Sequence, residues 1–261
     1  MTLGFITDRS EYDFWFAKEH GLDLEVTVNP PFDALDALPS LLELQDKYGV
    51  RVASCGVWGA EHTSDDSATA EAAHALVPRL IDFAVALGAP TCCVGLGNEI
   101  EDASLQEHVD RMLPLLRGWI EIAEDKGVRL ALYNCHWANW AYRPESWELI
   151  WGALGDTSLG LKYDPSHAFY DNRDYLEELL AWGDKVTHFH VKDTLKIGDR
   201  IVEDVPAGMG SIDYARIVGV LNYHGYTGCL SMEPHSGTWM GPKRYEGLLL
   251  SVNYMRQFVL T

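Results

Sequence analysis

Two histidines, His188 and His190, stand two residues apart in the stretch THFHVKD at 187–193. The stretch reads as a buried strand, apolar and β-branched at its start and polar at its end. Residues two apart on a strand point to one face, so both imidazoles share a side with Lys192, while Asp193 points the other way. Such a pair serves either as core histidines that hydrogen-bond their neighbours or as a metal ligand with a companion.

Carboxylates follow two other apolar runs. LKYDPSH carries Asp164 and His167, and SMEPH carries Glu233 and His235. A lone charge at the end of a buried run is costly unless something uses it. Asp164, His190 and Glu233 together suit a divalent metal ion such as Mn²⁺, Co²⁺, Mg²⁺ or Zn²⁺. Polar groups also close three earlier runs. These are Trp58, Glu61 and His62 in VWGAEH, Asn98 and Glu99 in GLGNE, and Tyr133, Asn134 and His136 in YNCHW.

Groups so far apart in sequence need a scaffold that gathers them. Short apolar runs alternate with longer amphipathic ones. Strands are expected at 3–7, 22–28, 50–57, 91–95, 128–133, 159–163, 186–191 and 228–232. Helices are expected at 11–20, 39–48, 67–87, 105–126, 144–154, 174–182, 213–224 and 245–259, several closed by a glycine. Pro78 and Pro114 predict a kink or break in the two longest. Eight strand–helix units at this length point to an α/β fold, a single (β/α)8 TIM barrel domain over residues 1–261. The chemistry of such a barrel sits at the C-terminal ends of its strands, where the polar groups above fall. No glycine-rich dinucleotide or phosphate loop follows any strand.

Composition narrows the function classes. Hydrophobic residues make up 47% and charged residues 23%, which excludes disorder as the main theme. The formal net charge of −19, with scattered lysines and arginines, disfavours nucleic acid as a partner. Five cysteines without a CxxC pair suggest reduced thiols in a cytoplasm, not a disulfide framework. The N-terminal residues turn polar too soon for a signal peptide, and no apolar run reaches the ~20 residues of a membrane helix.

Four motifs carry a family resemblance: DPSH (164–167), HFHVKD (188–193), GMGSIDYARIVGVLNYHGYTG (208–228) and SMEP (231–234). Their order and spacing resemble the xylose isomerase-like sugar isomerase/epimerase superfamily, most strongly over residues 159–234. The resemblance implies a metal held by a glutamate after the fifth strand, an aspartate after the sixth, a histidine on the seventh and a glutamate after the eighth. Three of these carry over, to Asp164, His190 and Glu233. Tyr133 stands where the resemblance puts the fourth ligand, leaving Tyr133, Asn134 or His136 to fill the gap. The resemblance also assigns substrate contacts to His167 and Lys196.

The expected activity is a metal-dependent isomerase, epimerase or dehydratase acting on a small polyhydroxy carbonyl compound. Glu233 is the expected base, with His136 or Tyr133 on the opposite face. Trp58, Trp137 and Trp140 are candidates to pack on the substrate's apolar face. The alternative is a sugar-binding barrel that has lost one ligand and is non-catalytic or depends on a partner subunit; a homo-oligomer fits either reading. Hydrolysis at damaged DNA, a third activity of the fold family, conflicts with the acidic charge.

Overall fold

Ten strands form in the computed structural model, which describes residues 1–259. They are β1 (Thr2–Ile6), β2 (Asp23–Val28), β3 (Val52–Val57), β4 (Thr91–Val94), β5 (Arg129–Tyr133), β6 (Gly160–Tyr163), β7 (Val186–Val191), β8 (Asp193–Ile197), β9 (Arg200–Val205) and β10 (Cys229–Met232). Eight of them close a parallel barrel in the order β1-β10-β7-β6-β5-β4-β3-β2. The eight strands expected from the sequence are these eight.

The helices are α1 (Glu11–His20), α2 (Leu38–Tyr48), α3 (Ser67–Leu87), α4 (Leu105–Asp125), α5 (Pro144–Leu154), α6 (Pro165–Tyr170), α7 (Tyr175–Trp182), α8 (Tyr214–Tyr223), α9 (Ser236–Met240) and α10 (Arg244–Met255). Their ends follow local chemistry. Ser10 accepts from the Asp13 amide to start α1, and Gly21 ends it in the left-handed region. Ser104 and Glu107 form a capping box at α4. Of the kink or break expected at Pro78 and Pro114, no break occurs: α3 and α4 run on through their prolines. Each proline removes one helical hydrogen bond, but buried neighbours such as Val77, Leu80 and Ile81 hold the helix in place.

The outward faces of the strands build the main core. Phe5, Leu24, Val26, Leu132, Leu161, Tyr163, Phe189 and Leu230 pack there against the helices. A separate small cluster of Cys93, Ala131, Tyr133 and Cys135, with Trp58 against it, belongs to the inside. All five cysteines are free and buried. Among the described residues no helix is long and apolar enough to cross a membrane.

Residues 196–206, between the expected strand at 186–191 and the expected helix at 213–224, supply most of an antiparallel hairpin of β8 and β9 beyond the seventh barrel strand. Apolar residues stand on both sides of a Gly198-Asp199 turn, Leu195 and Ile197 before it and Ile201 and Val202 after it, a hairpin signal that a loop reading overlooks. The hairpin hangs from Asp193. Its carboxylate accepts from the amides of Gly208, Gly210, Ile212 and Thr194, at 2.9 to 3.1 Å. A Cβ at Gly210 would lie 2.1 Å from Asp193 Oδ1, so this knot requires glycine there.

Candidate functional site

The inner wall is built in register. Tyr133 lies opposite Lys162 across β5 and β6, and Lys162 opposite His188 across β6 and β7. Two residues further along their strands, toward the mouth, come Asp164 and His190. Glu233 follows β10, and its amide extends the ladder to Val191 O at 3.1 Å.

Under these groups lies a residue that the sequence reading missed. Glu25, from the middle of β2, is fully buried, and both of its oxygens stand 2.9 Å from His190 Nε2. Its Oε2 also takes His188 Nε2 at 2.7 Å, while Ser54 Oγ lies 3.0 Å from that same nitrogen. Burial raises the Glu25 carboxyl, but the two imidazoles outweigh it and hold the group well below the usual carboxylate range. Burial lowers His190, and Glu25 and Glu233 together more than compensate, so that imidazole ends raised; His188 stays lowered because burial dominates. A lone acid inside the apolar run LDLEVTV was the available signal. His188 is accordingly the deeper, structural histidine.

His190 turns its other nitrogen, Nδ1, to Glu233 Oε2 at 3.0 Å. Asp164 divides its two oxygens. Oδ1 accepts from the Ser166 amide at 2.8 Å and starts α6, whereas the buried Oδ2 has no hydrogen-bond partner. The nearest groups to Oδ2 are Lys192 Nζ at 3.1 Å and His167 Nε2 at 3.4 Å. Lys192 Nζ also approaches Glu233 Oε2, at 3.4 Å. Burial lowers Lys192, but the carboxylates of Asp164 and Glu233 outweigh it, so the ammonium is firmly held. Glu233 in turn is raised by burial and lowered further by Lys192 and His190, leaving it ionised.

The donor atoms of Asp164, His190 and Glu233 lie within 4.8 Å of one another. Three features fit a divalent ion: two carboxylate oxygens and an imidazole nitrogen converge, Asp164 Oδ2 accepts no hydrogen bond, and Glu25 fixes the far side of His190 as outer carboxylates do for ligating histidines. Glu25, His188 and His190 are as close to one another, but their mutual hydrogen bonds occupy that set. The long side chain of Lys192 touches two of the three donors and would have to withdraw for an ion.

None of the three groups proposed for the fourth ligand is a carboxylate, and the His136 ring does not join the donor group of Asp164, His190 and Glu233. Asn134 clamps the backbone of Asp164, donating to its carbonyl and accepting from its amide at 2.8 Å each. His136 packs beside His167, with ring centroids 5.0 Å apart, and points Nδ1 at Asp171, 3.7 Å away. The Tyr133 phenol is pushed up by burial and keeps its proton.

A cavity of about 460 Å³ opens above the site, within the ~300–1,000 Å³ usual for small-ligand pockets. Glu233, His167, Trp58 and Trp137 line it, as do His190, Lys192, Tyr133 and Lys162. His136 and Lys196 do not. Lys196 Nζ donates to Asn172 and lies over the Phe169 ring on the hairpin side. Trp140 is fully buried against His108 and is core. At the rim, His235 Nδ1 pairs with Asp204 Oδ2 of the hairpin at 2.7 Å, an arrangement the sequence reading did not foresee.

A family model described as xylose isomerase-like TIM barrel matches residues 15–257. Among curated proteins, an inosose dehydratase of Clostridium perfringens is 27% identical over 153 residues, which cover 52% of this chain and 48% of that protein. The chain thus spans about half the length of the curated relatives it matches. Among solved structures, the IolI protein with a binding zinc atom superimposes with a TM-score of 0.80 at 17% identity, covering 99% of this chain and 98% of that one. A D-tagatose 3-epimerase-like protein gives 0.79 at 21% identity, covering 99% and 97%. At these identities the structural likeness is one of fold.

Proposed function

The chain belongs to the xylose isomerase-like TIM barrel family, and from that premise we propose that it is a divalent-metal-dependent isomerase, epimerase or dehydratase of a small polyhydroxy carbonyl compound. The observation that carries this reading is the convergence of Asp164, His190 and Glu233 beneath an open cavity. An ion held by these three supplies Lewis-acid polarisation of a carbonyl oxygen when bound. The relatives named inosose dehydratase and D-tagatose 3-epimerase-like protein agree with such a substrate class.

Glu233 is the base. It is ionised, and it faces the cavity from the end of β10. His167 is neutral, because burial pushes it well below its usual value, and its Nδ1 has no partner. It is suited to hold a substrate hydroxyl. Trp58 and Trp137 give the ligand an apolar wall, and the Trp58 indole donates to Trp137 O at 2.9 Å to fix their relation. The wall across from Glu233 carries Tyr133 and Trp58 but no carboxylate. Asp8, the cavity's other acid, follows β1, next to β10 and on Glu233's own side. Proton exchange on both faces of one carbon needs two bases. A single carboxylate favours return of the proton to the same face, as in aldose–ketose isomerisation, or elimination of water.

The purified chain should bind one equivalent of Mn²⁺, Co²⁺ or Zn²⁺ by calorimetry and turn over a member of a ketose and inosose panel. Asp164→Asn and His190→Gln should each weaken metal binding on the order of 100-fold and kcat on the order of 1,000-fold. Unchanged metal binding and turnover in both variants would sink the proposal. A second reading, a sugar-binding barrel without turnover, draws on the contact of Lys192 with two of the three donors. It predicts ligand binding with no metal and no product.

A further inference from the structure

One cation of the cavity lacks an anion. Lys192 has Asp164 and Glu233, Arg244 has Asp13, and His235 has Asp204. Lys162 is 2% exposed, yet among the described residues it makes no hydrogen bond through Nζ and has no carboxylate within 4.0 Å. Its Nζ lies over the face of the Tyr133 ring, 4.6 Å from the centroid. A buried ammonium without a hydrogen-bond acceptor or a direct ion pair is costly, and a cation–π contact offsets only part of that. This one lines the cavity, on the register row just below His190. The surface of the chain is strongly acidic, at −19 overall, so a lysine lining the cavity without an ion pair is a local feature of the site.

Resting on the reading of the cavity as a sugar site, we propose that its substrate is an anion, a sugar acid whose carboxylate is received by Lys162. One uncompensated ammonium matches one carboxylate. A phosphate dianion would call for more donors than one ammonium and one phenol, and Lys162 sits on a strand between Tyr133 and His188. The Tyr133 hydroxyl, which keeps its proton, lies on the same wall and can donate to the same carboxylate. The anion therefore sits at the floor, near the carbons that Glu233 reaches, with the hydroxylated tail toward the mouth and the tryptophans.

The test uses the fluorescence of Trp58 and Trp137 to titrate matched pairs: D-gluconate against D-glucitol, D-xylonate against xylitol, and inorganic phosphate alone. The wild-type chain should bind at least one acid ~10-fold or more tightly than its alditol. Lys162→Met and Lys162→Gln should erase that preference while still binding the alditol. Both variants should melt at or above the wild-type temperature without ligand, because an unpaired buried charge has been removed. Equal binding of acid and alditol by the wild type would overturn the anion and leave the sugar site standing. Binding of no pair would overturn both. Phosphate binding tighter than either acid would overturn the carboxylate assignment. A fall in melting temperature of both variants with the preference intact would reduce Lys162 to a support for Tyr133.

Discussion

The barrel has a rich arc and a poor one. On β6, β7 and β10 the inward positions and strand ends include Lys162, Asp164, His188, His190, Lys192 and Glu233, with Gly160 and Ser231 as the small members. On β3, β4 and β5 they are Ser54, Gly56, Cys93, Ala131 and Tyr133. The rich arc gathers opposite charges that hold one another in defined states. The poor arc is small or apolar and makes the space and the dry wall against which those charges act. One side supplies reacting groups and the other supplies their medium, which strengthens each charge–charge interaction.

The poor arc is nonetheless exacting, and three changes probe how. The largest effect is expected at its rim. His62 follows β3, is 2% exposed, has no hydrogen-bond partner at either ring nitrogen and stacks on His74. Burial, with help from His74, lowers its pKa from 6.5 to about 4. The unfolded chain therefore takes up a proton near pH 6.5 that the folded chain refuses until about pH 4. Stability contributed by this group is intact above pH 6.5 and falls as pH drops through that window, by about 3 kcal/mol at its lower end. Urea unfolding at several pH values should show that slope, and His62→Phe should flatten it. An unchanged slope would mean that the poor arc's rim is wetter than its burial implies.

Next in size is Gly56. A Cβ there would lie 2.1 Å from Tyr133 Oη. Gly56→Ala should cost about 2 kcal/mol by overpacking, read as a lower urea midpoint. Combining it with Tyr133→Phe should recover part of the loss. If Gly56→Ala is neutral, the phenol is not pinned and the two arcs are less unequal than they look.

The smallest effect, and the one that blurs the comparison on purpose, is Tyr133→Glu. It puts a carboxylate on the poor arc, beside Lys162. Mn²⁺ affinity should rise about tenfold, measured by calorimetry, and any preference for acidic over neutral ligands should vanish as the new carboxylate takes the Lys162 charge.

How much of this could be read from the chain differs between the arcs for a physical reason. Asp164, His190 and Glu233 follow apolar runs, so their polarity stands out, and the alternation of runs was enough for the barrel. Glu25 and Lys162 lie inside strands, where a single charge reads as an ordinary break in an apolar pattern. Only barrel closure shows that their parity aims them at the centre. His136 carried an expectation from its place after the fifth strand and Lys196 one from the family resemblance, but the β5–α5 loop packs His136 against Trp137, and the Lys196 side chain turns to Asn172. Tyr133 could be located but not interpreted, because its meaning depends on Gly56 and Lys162, which lie far from it in sequence and touch it only across neighbouring strands.

Cys92 and Cys93 are consecutive on β4, so they face opposite sides of the same strand: Cys92 joins the shell core and Cys93 the small inner cluster. Burial pushes both thiols up, Cys92 to about 12, so neither reacts while its surroundings stay closed. A thiol reagent thus reaches the first only when helices lift from the sheet, and the second only when the lumen is breached. The chain carries, in two adjacent residues, separate clocks for the loosening of its coat and of its interior.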